Sequence, residues 1–90
     1  MYLYLGQDIV VPKNDVIGVF DLDNTTSSGI TRKFLEKAEK SGRVVDVSGE
    51  LPKSFVLCRR NGKRTNETVY LSQLSSATLL KRWDNRINEI

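Results

Sequence analysis

The chain has 90 residues, with 14 Lys plus Arg against 11 Asp plus Glu, a formal charge of +3 and a sequence pI near 9.2. With 39% hydrophobic and 28% charged residues it reads as a single soluble globular domain over residues 1–90, too short for a two-lobed catalytic fold. The absence of His excludes Ser-His and Cys-His nucleophile pairs and the common zinc sites, and a lone Cys excludes an internal disulfide.

In chain order, Tyr2 to Leu5 and Ile9 to Val11 are short β-branched or aromatic runs separated by the turn residues Gly6-Gln7-Asp8, and Pro12 ends the second. Two strands are expected there. Val16-Ile17-Gly18-Val19-Phe20 forms a third, whose unbroken apolar character predicts burial on both faces. A polar loop from Asp21 to Ser28 follows. Ile30, Phe34, Leu35 and Ala38 then recur at helical spacing among charged neighbours. This predicts an amphipathic helix of about three turns, capped by Ser27 or Ser28 and ended by Gly42.

Val44 to Val47 is the fourth strand. Ser54 to Cys58 and Thr68 to Ser72 are expected to pair as a hairpin. A tight turn at Asn61-Gly62 would set Val56 against Glu67, Leu57 against Asn66 and Arg59 against Arg64, opposing apolar to polar and like charge to like charge. Pairing Leu57 with Val69 and Phe55 with Leu71 matches the apolar residues instead, and makes Arg59 to Glu67 a projecting loop. Ser75 or Ser76 opens a second helix with Leu79, Leu80, Trp83 and Ile87 on its buried face. The predicted fold is α+β: a small, mostly antiparallel sheet of about five to six short strands with two amphipathic helices, its short connections favouring antiparallel neighbours.

The charge is unevenly placed. Lys53, Arg59, Arg60, Lys63 and Arg64 fall in one stretch that holds no acidic residue, so the rest of the chain is net acidic. A cluster of this kind suits a polyanion, because arginine forks match phosphate and a two-stranded ribbon is narrow enough for a DNA groove. The plainer reading is a charged loop that keeps an edge soluble. Lys13, Arg32 and Arg43 are further cations that would extend the patch if they shared its face, which the sequence does not define. Tyr2 and Tyr4 share one face of the first strand, where a stacking platform or an edge contact would fit. Tyr70 and Trp83 sit at buried-phase positions and are expected in the core, as is Cys58 within Ser54-Phe55-Val56-Leu57-Cys58.

Val16-Ile17-Gly18-Val19-Phe20-Asp21-Leu22-Asp23-Asn24-Thr25 resembles the first motif of the haloacid dehalogenase phosphatases. That resemblance implies Asp21 as nucleophile, Asp23 as general acid and Mg²⁺ beside Asp21. The residues after Asp23 are too few for a doubly wound sheet, and Asp46, Glu50, Glu67 and Asp84 are too scattered for the later acidic pair. No enzyme, catalytic residue, cofactor or metal is therefore expected.

A second resemblance covers more of the chain, from residue 1 to 82. Gly6 after a short strand, Ile9-Val10-Val11, the strand ending at Phe20, Ile30-Thr31-Arg32-Lys33-Phe34-Leu35, Gly42-Arg43-Val44-Val45-Asp46, Leu51-Pro52-Lys53-Ser54-Phe55-Val56-Leu57, Val69-Tyr70-Leu71-Ser72 and Ser75-Ser76-Ala77-Thr78-Leu79-Leu80-Lys81-Arg82 follow in one order. This ordered set resembles the bacterial extracellular matrix regulatory proteins of the RemA/RemB family, closer to the RemB (YaaB-like) branch. The resemblance implies a cytoplasmic, DNA-binding transcriptional regulator of matrix or biofilm genes. RemA-type proteins carry an arginine-rich run where this chain has Glu50-Leu51-Pro52-Lys53, and a basic residue where it has Asn14, so only Lys53 keeps that charge.

The expected partners are double-stranded DNA, bound through Lys53, Arg59, Arg60, Lys63 and Arg64, and further copies of the chain in a homo-oligomer. No signal peptide, membrane span or membrane partner is expected. The alternative within the same family is an interaction module that does not bind DNA.

Overall fold

A computed structural model describes residues 1–22, 29–49, 51–60 and 67–84. Among these the fold is α+β, with six strands in two mostly antiparallel sheets and two helices. Strands β1 (Tyr2–Gly6) and β2 (Ile9–Pro12) form an antiparallel ribbon. Gln7 and Asp8 at its turn both have positive φ, 49° and 63°, the conformation that lets a two-residue loop follow the twist of its strands. After a short 3-10 turn at Lys13–Asp15 come β3 (Val16–Asp21), helix α1 (Gly29–Lys40), β4 (Val44–Asp46), β5 (Ser54–Arg59), β6 (Glu67–Ser72) and helix α2 (Ser76–Asp84). Gly42, at φ 71°, ends α1 as expected, and Ser75 Oγ accepts the Thr78 N–H to cap α2. The caps proposed for α1, Ser27 and Ser28, lie outside the described residues.

The larger sheet has the order β3-β5-β6-β4. The apolar-matched hairpin register is the one that forms: Phe55 pairs with Leu71, Leu57 with Val69 and Arg59 with Glu67. The strands run one pair beyond the expected hairpin, so Arg59 and Glu67 close the ladder. The expectation of antiparallel neighbours fails at β4, which lies parallel to β6, Val44 beside Val69. The segment carrying α1 links β3 at one edge to β4 at the other, and a connection between parallel strands must cross a face of the sheet.

Each face of this sheet carries its own core. Ala38 of α1, with Phe34 and Leu35, packs on Phe55, Val69, Leu57, Leu71 and Val44. On the other face Leu3, Leu5 and Val11 of the ribbon and Leu79 of α2 enclose Val56 and Cys58, with Val47 beside them. Residues of β5 therefore alternate between two buried surfaces, as befits an inner strand.

Strand β3 was the expected two-sided strand and is an edge instead, with Ile17 51% and Phe20 37% exposed. A bulge between Val16 and Gly18 interrupts its register at Ile17. The Phe20 ring stacks on Phe55 at 4.8 Å and covers Gly18, where a Cβ would lie 2.8 Å from it. The expected buried face of α2 is narrower than its apolar pattern. Leu79 is fully buried and Trp83 half-buried, but Leu80 is 49% exposed and Ile87 lies outside the described residues.

Candidate nucleic-acid interface

Strands β5 and β6 place the predicted cations at two separate ends. Lys53 precedes β5, its N–H donating to the Ser72 carbonyl and its own carbonyl accepting from Leu22 N–H. Arg59 ends the same strand. Six steps along an extended strand set the two roughly 20 Å apart, so the fold does not gather Lys53 with Arg59. Arg60 follows directly and is exposed. Lys63 and Arg64 lie outside the described residues.

At the Arg59 end a further cation arrives that local sequence patterns do not reveal. Because β4 runs parallel to β6, Arg43 sits immediately before the strand pair and its carbonyl accepts the Val69 N–H at 2.8 Å. One carboxylate meets both guanidinium groups. Glu67 Oε2 accepts from Arg59 Nη2 at 2.6 Å and Nε at 3.2 Å, while Oε1 accepts from Arg43 Nη1 at 3.4 Å. The Glu67 side chain is only 14% exposed, and the arginines about twice that. Two guanidinium groups over one carboxylate leave a net positive charge there. The one sequence signal for Arg43 was its charge. Of the other cations, Lys13 donates to the Trp83 carbonyl at 3.0 Å and lies 5.6 Å over its ring, and Arg32 is exposed on α1.

Beside Arg60 lies a hollow of about 560 Å³ lined by Val11, Asp15, Cys58, Thr68 and Tyr70. Burial, reinforced by Asp15, pushes the Cys58 thiol up to about 11, so it stays protonated and packs as the small apolar residue expected. Burial likewise raises the Tyr70 phenol, with Cys58 and Asp15 adding and Arg60 opposing. Tyr70 and Trp83 are both half-buried against the ribbon-side core, as expected. Tyr2 and Tyr4 are exposed, and Arg82 lies 5.1 Å over the Tyr4 ring.

Of the phosphatase-like motif, Asp21 ends β3 and accepts from Ser76 Oγ at 3.5 Å, while Asp23 lies outside the described residues. Among the described residues no three Cys, Asp or Glu side chains converge as a metal site requires, and no helix is long and apolar enough to cross a membrane.

Residues 2–83 match the RemA-like family, described as extracellular matrix regulatory protein A-like. The chain belongs to this family. It is also 42% identical over 82 residues to extracellular matrix regulatory protein B of Bacillus subtilis (strain 168), spanning 91% of this chain and 89% of that relative. Both the family and its RemB side were legible in the ordered segments of the sequence. The relative is by name a regulatory protein, whereas the phosphatase resemblance was confined to ten residues around Asp21.

Proposed function

We propose that this chain is a cytoplasmic DNA-binding transcriptional regulator of extracellular matrix genes, acting as a homo-oligomer and without catalytic activity. The observation that carries this reading is the meeting of Arg43 and Arg59 at one end of the β5–β6 hairpin, next in sequence to Arg60, Lys63 and Arg64. Membership of a family of matrix regulators supplies the biological direction. In this reading Arg59, Arg60, Lys63 and Arg64 neutralise phosphates, with Arg43 alongside. Lys53 takes part where the long axis of β5 follows the duplex, since roughly 20 Å corresponds to about six base-pair steps. A handful of phosphate contacts holds one small module weakly at physiological salt. Symmetry-related copies on one duplex raise the affinity, the reason for proposing an oligomer.

The test is a duplex-DNA titration at two salt concentrations, for the wild-type chain and a variant with Arg59, Arg60, Lys63 and Arg64 replaced by Ala. The wild type should lose affinity steeply with salt, and the variant should bind more weakly with a log–log slope shallower by about three to four. Equal binding by the two proteins removes the loop as the site, and a wild type that does not bind favours the interaction module.

A further inference from the structure

We infer that Glu67 occupies the seat a DNA phosphate takes, holding Arg43 and Arg59 in an internally paired, half-neutralised state that binding must break. This rests on the proposed function above and adds one residue to it, Glu67 as the competitor that a phosphate displaces from Arg43 and Arg59.

The Glu67 carboxylate presents two oxygens to two guanidinium groups, the arrangement in which arginine pairs bind a phosphate. The bond to Arg59 is short, 2.6 Å, and the one to Arg43 long, 3.4 Å. Arg43 is thus the more readily transferred of the two. Both arginine side chains remain more than a quarter exposed while the carboxylate between them is more enclosed, so an anion can approach the guanidinium groups from solvent. Strand register places these groups where they are. Arg59 faces Glu67 as the last pair of the antiparallel ladder, and Arg43 comes from the neighbouring parallel strand. In a protein whose partner is a polyanion, a partly enclosed carboxylate across two arginines lowers the affinity of that surface. It also reduces the net number of counterions released on binding, because the Glu67 carboxylate displaced by a phosphate takes up a cation of its own.

The experiment compares wild type, Glu67→Gln and Asp8→Asn in duplex-DNA titrations from about 50 to about 200 mM salt. Asp8→Asn removes the same charge at the turn of the β1–β2 ribbon, which reaches Ser48 near the opposite end of the sheet, and Asn tolerates the left-handed backbone there. Glu67→Gln should bind about tenfold more tightly at the lowest salt and steepen the log–log slope by about one, because no displaced carboxylate takes up a cation. Asp8→Asn should change neither by a comparable amount. A third variant, Arg43→Gln, should weaken binding and flatten the slope while keeping the wild-type circular dichroism spectrum.

Binding by the wild type with Glu67→Gln equal to Asp8→Asn, or weaker than wild type, overturns the inference alone. An Arg43→Gln variant that binds like wild type removes Arg43 from the surface and overturns it too. Failure of both wild type and Glu67→Gln to bind duplex overturns the proposed function together with the inference.

Discussion

The two ends of the β5–β6 pair are built from opposite kinds of polar chemistry. At one end Ser54 faces Ser72, and both are fully buried and neutral. Ser72 Oγ donates to the Leu5 carbonyl at 2.8 Å and accepts the Leu74 N–H at 3.0 Å, while Ser54 Oγ donates to the Leu74 carbonyl at 2.7 Å. These bonds tie the ribbon and the segment leading to α2 onto the sheet with no charge to desolvate. Five residues along, Arg59 faces Glu67 with Arg43 beside them, charged and partly exposed. The same ladder thus has an end that fastens layers and an end that keeps charge within reach of solvent. A buried hydroxyl satisfied by a carbonyl costs much to remove, whereas a partly exposed ion pair contributes little to stability and leaves its cations available to a partner.

Ser72→Ala tests this contrast most strongly. It deprives the buried Leu5 carbonyl of its donor and the Leu74 N–H of its acceptor, and should lower unfolding free energy in urea by about 1–3 kcal/mol. Arg59→Ala should cost less, about 0.2–1 kcal/mol, and the difference from wild type should shrink as salt is raised in thermal melts. If Arg59→Ala matched Ser72→Ala in cost and were insensitive to salt, the division of labour between the ends would be wrong.

The smallest effect is expected at Asp46, the last residue of β4, which pairs with Leu71 toward the serine end. Its carboxylate accepts from Ser48 Oγ at 2.5 Å and Ser48 N–H at 2.8 Å. The Ser48 hydroxyl above all, then the Ser48 and Gly49 N–H groups, hold its pKa below the ordinary 3.8 against a lesser opposing effect of burial. A carboxyl lowered on folding stabilises the fold above its ordinary pKa and loses that contribution as pH falls through its folded value. Melting temperature should therefore fall less between about pH 5 and about pH 3 in Asp46→Asn than in wild type.

Much of the scaffold was legible because neighbouring residues decide it. The helical spacing of Phe34, Leu35 and Ala38, the Gly42 stop, the Ser75 cap and the turn at Gln7 and Asp8 each depend on a few adjacent positions. The hairpin register was legible as well, since the three-residue shift between Asn61-Gly62 geometry and the matching of Phe55 with Leu71 affects every pair in the ladder. Strand β3 was misread because an apolar run looks the same on an inner strand as on an edge strand whose Phe20 lies over Phe55. In α2, Leu79 and Leu80 are adjacent and equally apolar, and only the direction of the ribbon against the helix separates buried from exposed.

The candidate site divides along the same line. Arg59, Arg60, Lys63 and Arg64 were marked out by charge density alone, and Lys53 was grouped with them by proximity in the chain. The extended path of β5 sets Lys53 at the far end, because a strand converts six residues into roughly 20 Å. By itself the sequence determined the family, the elements and their periodicity, the hairpin register and the confinement of excess positive charge to one stretch. These follow from interactions between residues close in the chain or repeated along it. Only the tertiary structure decided that β4 lies parallel to β6, that Arg43 reaches across to a carboxylate 24 residues away, and that Glu67 pairs with two arginines at once. Strand order is set by how two apolar faces are covered at the same time, and no local pattern carries that information.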